Sequence, residues 1–462
     1  MIREKNKSIF GIILIAIILE GMFWRIQNIM GIVGIAVMTL GTIFYLLEMH
    51  IYDLVLILMP CMFYLNIGGS VNTSLADIII IIWLLGEMSG RHYTGKIRKN
   101  SAITQTRIYM MRYAVIIIGI MMISMVNFIR WENVFLIQAL VSIFKILVCM
   151  LYSLFTLFYI DIYSRKRFLC VMAYSTLFFE LLMIVGVVAY TQGIDLGLTF
   201  AGTFRATGTF EDPNLASAYL FLMFSLASAY FIEEKKCFLL GMTFLLTVVG
   251  VTLTSSKGAL VALVAGSILI LLVNIIRGNR KIALILFMVF LFLCGVFYFC
   301  YRNIYYVQLI CAPIFARLHE FTGNIGGDQT LQFRQFLWKT AFKLGMLEPI
   351  LGVGVEQFRP VATQYTGEYV WNIVHNTYLT FFCELGVVGF IAFFRLWIKN
   401  AWNHFILMKK NISSVFYVFS IICVSVSMWS ISLGNFRTLW VFMTFMLYEY
   451  NRQKVLVGND IL

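Results

Sequence analysis

The sequence is 462 residues long, 61% hydrophobic and only 12% charged. That balance excludes a water-soluble domain and is the composition of a chain that crosses a membrane many times. A formal net charge of +13 would suit nucleic acid, but no soluble basic domain exists to carry it, so the excess is assigned to loops beside membrane spans.

The chain opens with a basic stretch, Arg3, Lys5 and Lys7, followed by an apolar run without a small-residue cleavage site. This reads as an uncleaved first span. Apolar runs of membrane-crossing length predict spans near residues 8–23, 29–47, 51–66, 75–88, 108–127, 134–160, 168–190, 214–232, 238–253, 259–276, 282–300, 376–397, 413–433 and 436–450. The third and fourth are short and interrupted by Asn66, Gly68, Gly69 and Asn72; they read as two spans, a tight hairpin or a re-entrant pair, so twelve to fourteen helices are expected. The fold class is therefore all-α and polytopic, with residues 1–462 as a single integral membrane domain.

Basic clusters set the orientation. Arg91 to Arg107, Arg165 to Arg167, Lys235 with Lys236, Arg277 to Lys281, Lys399 to Lys410, and Arg452 with Lys454 all fall on one side when fourteen spans are counted. The positive-inside rule makes that side, and both termini, cytoplasmic. The opposite side receives two long segments, Thr191–Pro213 and Tyr301–Val374, the latter a large extracytoplasmic loop. Within it, Phe333, Phe336, Leu337, Ala341 and Leu344 share one face of a predicted amphipathic helix over residues 331–345. The nine cysteines contain no Cys-x-x-Cys pair, lie mostly in apolar runs, and read as small buried hydrophobes.

The end of the long loop carries the densest set of polar groups at a span mouth: Arg334, Lys339, Arg359, His375 and Glu384. Groups of this kind at membrane depth are functional candidates by default. The stretch Arg334–Phe390 also contains "PILGVGVEQF" and "HNTYLTFFCELGVVG". In this order, Gly352, Gly354 and Phe358, then His375, Asn376 and Leu379, then Glu384, Gly386 and Gly389 resemble the signature of the O-antigen ligase and O-antigen polymerase superfamily of membrane glycosyltransferases. Two further pieces are similar to the same family. "FRATGTFEDPNLASAYL", Phe204–Leu220, contains Arg205 and Asn214; "TSSKGALVAL", Thr254–Leu263, has Lys257 where the family usually has Arg, which keeps the charge but loses the bidentate fork. The resemblance covers roughly Phe204 to Phe394; the first 190 residues match only in hydropathy.

The resemblance implies a glycan donor on undecaprenyl pyrophosphate, presented at the outer face of the bacterial cytoplasmic membrane. Arg205, Arg334 and Lys257 at outer span ends suit a pyrophosphate, through charge-assisted hydrogen bonds. His375 would be the base or would position the acceptor, with Asn214, Asn376, Glu384 and Arg359 as further substrate contacts. Each has a plainer reading. Basic residues at helix ends snorkel, Asn376 is equally an N-cap, Glu384 is as readily a partner for an Arg, and Gly386 and Gly389 serve close helix packing. His50, His92, His319 and His404 read as structural or solvated, and Lys145 and Glu180, both mid-span, as neutralising one another. No cofactor is expected. No metal is required by the pattern, and Glu211 with Asp212 are the first candidates should a divalent cation act.

Within the family the expected activity is polymerisation of lipid-linked repeat units into O-antigen, capsule or exopolysaccharide, with membrane lipid, a flippase and chain-length regulators as partners and no nucleic acid. The alternatives are an O-antigen ligase, a teichoic-acid or protein O-glycan ligase, and a non-enzymatic flippase or exporter of lipid-linked sugars. The last would show two related halves, which the sequence lacks.

Overall fold

The structure, a computed structural model, describes residues 50–66, 70–88, 101–276 except 133, 201 and 202, and 329–457, with scattered helical positions between 284 and 315. The spans expected at 8–23 and 29–47, and nearly all of 282–300, lie outside the described residues. The helices follow the apolar runs closely. They are α1 (Ile51–Leu58), α2 (Leu75–Met88), α3 (Ser101–Ser124), α4 (Leu136–Tyr163), α5 (Arg165–Thr191), α6 (Pro213–Glu233), α7 (Cys237–Leu253), α8 (Lys257–Ile276), α9 (Gln329–Leu347), α10 (Phe358–Thr366), α11 (Thr377–Leu407), α12 (Ser413–Ser427) and α13 (Arg437–Val457). Among the described residues five segments, Ser101–Arg130 and α4, α5, α6 and α11, are long and apolar enough to cross a membrane. The chain is thus an all-α polytopic membrane protein.

Two expected spans end differently. Residues 51–66 form the eight-residue α1 and then strand β1 (Met62–Asn66), which pairs antiparallel with β2 (Ser70–Ser74). The Asn66 to Asn72 interruption therefore makes a hairpin, one of the outcomes its turn residues allow. The expected span 413–433 stops being helical at Ser427. The carbonyls beyond it serve another element: Met428 O accepts from Thr377 N at 2.8 Å and Ile431 O from Thr377 Oγ1 at 2.6 Å.

The centre of the bundle is α6, the most enclosed of the five long segments. It packs on α5, α7 and α12, and its Ser217, Ala218, Ser225, Ala227, Ser228 and Ala229 let those backbones approach closely. The predicted amphipathic helix is α9, with Leu337, Ala341 and Leu344 fully buried and its apolar face against α11.

One end of the bundle is closed by ion pairs. Arg165 bridges Glu233 at 2.6 Å and Glu449 at 2.5 Å, Arg452 shares Glu449 at 3.0 Å, Lys166 meets Glu234 at 2.8 Å and Arg167 meets Asp53 at 2.6 Å. The basic clusters at 165–167 and 452 thus meet at one face. Deeper inside, Arg437 is paired with the buried Asp77, which also accepts from Tyr152 at 2.8 Å. Lys145 and Glu180 do not neutralise one another as expected. Glu180 accepts from Thr247 at 2.5 Å, and the acidic group whose charge acts on Lys145 is Glu356; a shared span depth does not put two side chains on facing helix surfaces.

Candidate functional site

The far end of the bundle gathers the first turns of α6, α8 and α11. Each is capped locally as its sequence dictates. Asp212 Oδ1 accepts from Asn214 N at 2.6 Å, with Pro213 opening α6. Ser256 Oγ accepts from Ala259 N at 3.3 Å, and Asn376 Oδ1 accepts from Leu379 N at 3.0 Å. The caps of α6 and α8 are tied together. Ser256 Oγ donates to Asn214 Oδ1 at 2.6 Å, and Asn214 Nδ2 donates to Asp212 Oδ1 at 2.8 Å. Unsatisfied N–H groups and the positive ends of helix dipoles favour anions at such a place.

The cations expected here sit around these ends. The Arg205 guanidinium is oriented by its Nε, which donates to Thr254 O at 3.0 Å, and it lies 5.5 Å from the centroid of the Phe200 ring. Thr254, Ser255 and Ser256 lead into α8, where Lys257 is the first helical residue. A cation at a helix N-terminus opposes the macrodipole, so helix stability does not explain Lys257. Arg334, half-buried on α9, and Asp212 are both close enough for their charges to act on His375.

His375 is held in an unusual way. Its φ is +51°, the left-handed region that non-glycine residues avoid, and its Nε2 lies 3.2 Å from Asn372 Oδ1. Ser255, at φ +48°, adopts the same region two residues before Lys257. Backbone strain of this kind persists where the surroundings enforce it and clusters at functional sites. Burial pushes the His375 pKa below its ordinary 6.5, Arg334 pushes it further down, and Asp212 partly offsets both. The ring is therefore neutral at neutral pH, the state in which it can accept a proton. Asn376 Nδ2 is buried without a hydrogen-bond partner among the described residues; an unmet buried donor costs about 1–3 kcal/mol, and the cap made by the other end of the amide does not account for it.

Glu384 and Arg359 belong to a different cluster. Gly386, at φ +65° and ψ −166°, breaks the α11 helix. The "PILGVG" loop splices into the break: Val353 N donates to Cys383 O at 2.8 Å, Gly354 N to Glu384 O at 3.0 Å, and Val387 N to Pro349 O at 2.8 Å. A Cβ on Gly352 would collide with the backbone of Cys383 and Glu384, and one on Gly386 with Ile350. Gly386 was expected to serve helix packing; it instead interrupts the helix so that two backbones can pair. The Glu384 carboxylate accepts from Glu356 N at 3.0 Å. With Glu356, Ser142, Thr380 and Ser432 it lines a cavity of about 90 Å³. The Arg359 guanidinium lies 5.5 Å from the Phe135 ring centroid.

His404 is buried between Ser414 Oγ at 3.2 Å and Met446 O at 3.0 Å, and His50 stacks on Tyr163 at 4.5 Å; both are structural. His92 and His319 lie outside the described residues. Among the described residues no group of three or more His, Cys, Asp or Glu could hold a metal ion, and Asp212, considered for that role, caps α6. Sequence reasoning missed three members: Asn372, Ser256, and Asp212 as a partner of His375. The Asp-Pro-Asn run is a helix-start signal that identifies the cap; nothing local marks Asn372.

The fold defines an all-α membrane protein with cations, an imidazole and helix N-termini gathered at one end of its bundle. Residues 242–394 match the family model described as Wzy_C, O-Antigen ligase, which supports the O-antigen ligase and polymerase superfamily that the motifs resemble. The matched segment contains Lys257, Arg334, Arg359, His375, Asn376 and Glu384, and stops short of Arg205 and Asn214. No curated protein matches the chain.

Proposed function

We propose that the chain transfers a glycan from undecaprenyl pyrophosphate to a sugar hydroxyl, and that the acceptor is a second lipid-linked repeat unit, so that the product is a growing polysaccharide. The observation that carries this reading is the gathering of Arg205, Lys257, Arg334 and His375 around the capped starts of α6, α8 and α11. In the reaction the acceptor oxygen attacks the anomeric carbon, the bond from that carbon to the pyrophosphate oxygen breaks, and the lipid pyrophosphate leaves with the bonding electrons. His375 takes the acceptor proton. The arginines and Lys257 hold the pyrophosphate and meet the charge developing on it. Asn214, through Ser256, keeps α6 and α8 in register beneath it. The site faces the outside of the cytoplasmic membrane, opposite the Arg165–Arg167 face, in accord with the positive-inside rule.

The family description favours a second reading, in which a preformed chain is transferred once to a different lipid or polymer acceptor. Purified protein in nanodiscs, given the lipid-linked repeat unit alone, separates them. A ladder of products supports polymerisation. No product until a second acceptor is added, followed by one transfer, supports ligation. Absence of any transfer with either acceptor would contradict the glycosyltransferase reading.

A further inference from the structure

Beside the site lies an aromatic surface that the proposed chemistry does not use. Phe336, Phe333 and Trp371 are arranged in sequence, with ring centroids 6.4 and 6.2 Å apart and planes within 24° and 25° of parallel. Trp371 is 64% exposed and the nearby Tyr369 82%. Scattered exposed apolar residues need no explanation, but a run of aligned rings does. The exposure of Trp371 is built in. Val370 and Val374 on either side are buried, and the Val370 amide is pinned by Thr363 Oγ1 at 2.9 Å. The loop therefore cannot turn Trp371 inward without pulling its valines from the core.

The position of these rings argues against a role as membrane anchors. Trp338 Nε1 donates to Val374 O at 3.1 Å, and Gly345 packs on the Phe382 ring. These two pairings run in the same direction, so α9 lies alongside the start of α11 and parallel to it. Phe333 is five residues before Trp338 and therefore stands about 8 Å further out than the start of α11, at 1.5 Å per residue. The apolar residues that α9 exposes as for lipid, Phe342, Met346 and Leu347, are at its other end. Both rings adjoin site residues: Arg334 follows Phe333 on α9, and Asn372, the partner of His375, follows Trp371.

We propose that the Phe333–Trp371 shelf is a sugar-binding subsite that stacks a pyranose ring of the lipid-linked glycan next to the pyrophosphate. A pyranose ring has an apolar face of C–H bonds that packs on an aromatic face while its hydroxyls stay hydrated at the rim, and the amphipathic, rigid rings of Trp and Phe suit that contact. The placement fits a donor whose pyrophosphate sits among Arg205, Lys257 and Arg334, with its lipid in the bundle and its sugars extending outward past His375. The assignment rests on the glycosyltransferase reading above.

The test measures binding of two probes to protein in nanodiscs: undecaprenyl pyrophosphate, and the undecaprenyl-pyrophosphate-linked repeat unit extracted from cells of the source bacterium lacking this chain. Trp371→Ala and Phe333→Ala should each weaken binding of the glycosylated probe about threefold to tenfold and leave undecaprenyl pyrophosphate binding unchanged. Trp371→Tyr should bind both as wild type does. Equal weakening for both probes, no weakening for either, or loss of membrane-inserted protein in place of a binding change, as for an interfacial anchor, would overturn the subsite. Wild-type protein that binds neither probe would instead overturn the donor reading itself.

Discussion

The Arg165 cluster and the His375 site, at the two ends of the helical bundle, orient their charged groups differently. At one end Arg165, Arg167, Lys166 and Arg452 are held by carboxylates, with Arg165 split between Glu233 and a Glu449 that is only 1% exposed. At the other end Arg205 is oriented by a backbone carbonyl, His375 by an Asn on a left-handed backbone, and the surrounding helices present their N-termini. A carboxylate fixes a cation and cancels it. A carbonyl or an amide orients a side chain without adding a charge of its own. The first arrangement ties helices together; the second places cations and helix N-termini where an incoming anion would meet them. Substitutions at the two ends should therefore fail differently, one in folded yield and the other in turnover.

The largest effect is expected at His375. His375→Ala should lower turnover by about 10²–10⁴-fold, with undecaprenyl pyrophosphate binding and monodisperse yield preserved, because the cations still hold the donor. His375→Gln should keep part of the activity if the ring only positions the acceptor. Turnover, binding and yield measured on one preparation distinguish these cases; normal turnover in a folded His375→Ala protein removes the base from the mechanism.

Next come the cations. Arg205→Ala and Arg334→Ala should each lower turnover by about 10²–10³-fold, the scale of losing one preorganised charge stabiliser. Lys should substitute poorly for Arg205, whose Nε makes the bond to Thr254. Lys257→Arg should be tolerated, since it restores the residue the resemblance leads one to expect. At the opposite end, Glu449→Ala leaves Arg165 and Arg452 without their buried partner and should cost about 3–5 kcal/mol of stability. A thermal-shift and extraction series across these variants checks the contrast. It collapses if Arg205→Ala loses yield as severely as Glu449→Ala.

A smaller effect sharpens the role of the imidazole. With its pKa held below 6.5 by burial and by Arg334, His375 stays neutral until the pH falls through that lowered value. The acid limb of kcat/KM, which reports the free enzyme, should therefore lie below pH 6.5. Arg334→Gln removes a cation and should move the limb upward, whereas Asp212→Asn removes the offsetting anion and should move it further down. Residual kcat/KM for the donor against pH for the two variants reads the shifts. Equal shifts, or none, would show that a different group titrates.

Much of this architecture is written locally. The apolar runs mark most helices to within a few residues, the Asp-Pro-Asn and His-Asn runs mark the starts of α6 and α11, and the stripe of Leu337, Ala341 and Leu344 marks the face that α9 buries. What is not legible depends on partners distant in sequence. The apolar pattern of α11 runs unbroken through Gly386, because the break is created by the backbone of Gly352 docking there. Glu384 reads as a substrate contact or a partner for an Arg, and nothing near it in sequence marks the Glu356 amide that its carboxylate receives. Lys145 and Glu180 share a depth without sharing a surface. Asn372 looks like any loop residue until the strained turn at His375 brings the ring back to it.

We propose that the α6, α8 and α11 starts and their cations form a pyrophosphate site. Titration of undecaprenyl pyrophosphate and undecaprenyl monophosphate against wild type, Arg205→Ala and Arg334→Ala in nanodiscs tests it most directly. The account predicts that wild type prefers the pyrophosphate and that each substitution weakens that binding, in protein of unchanged thermal stability. Equal affinity of wild type for the two lipids, or arginine variants that bind the pyrophosphate as wild type does, would contradict it.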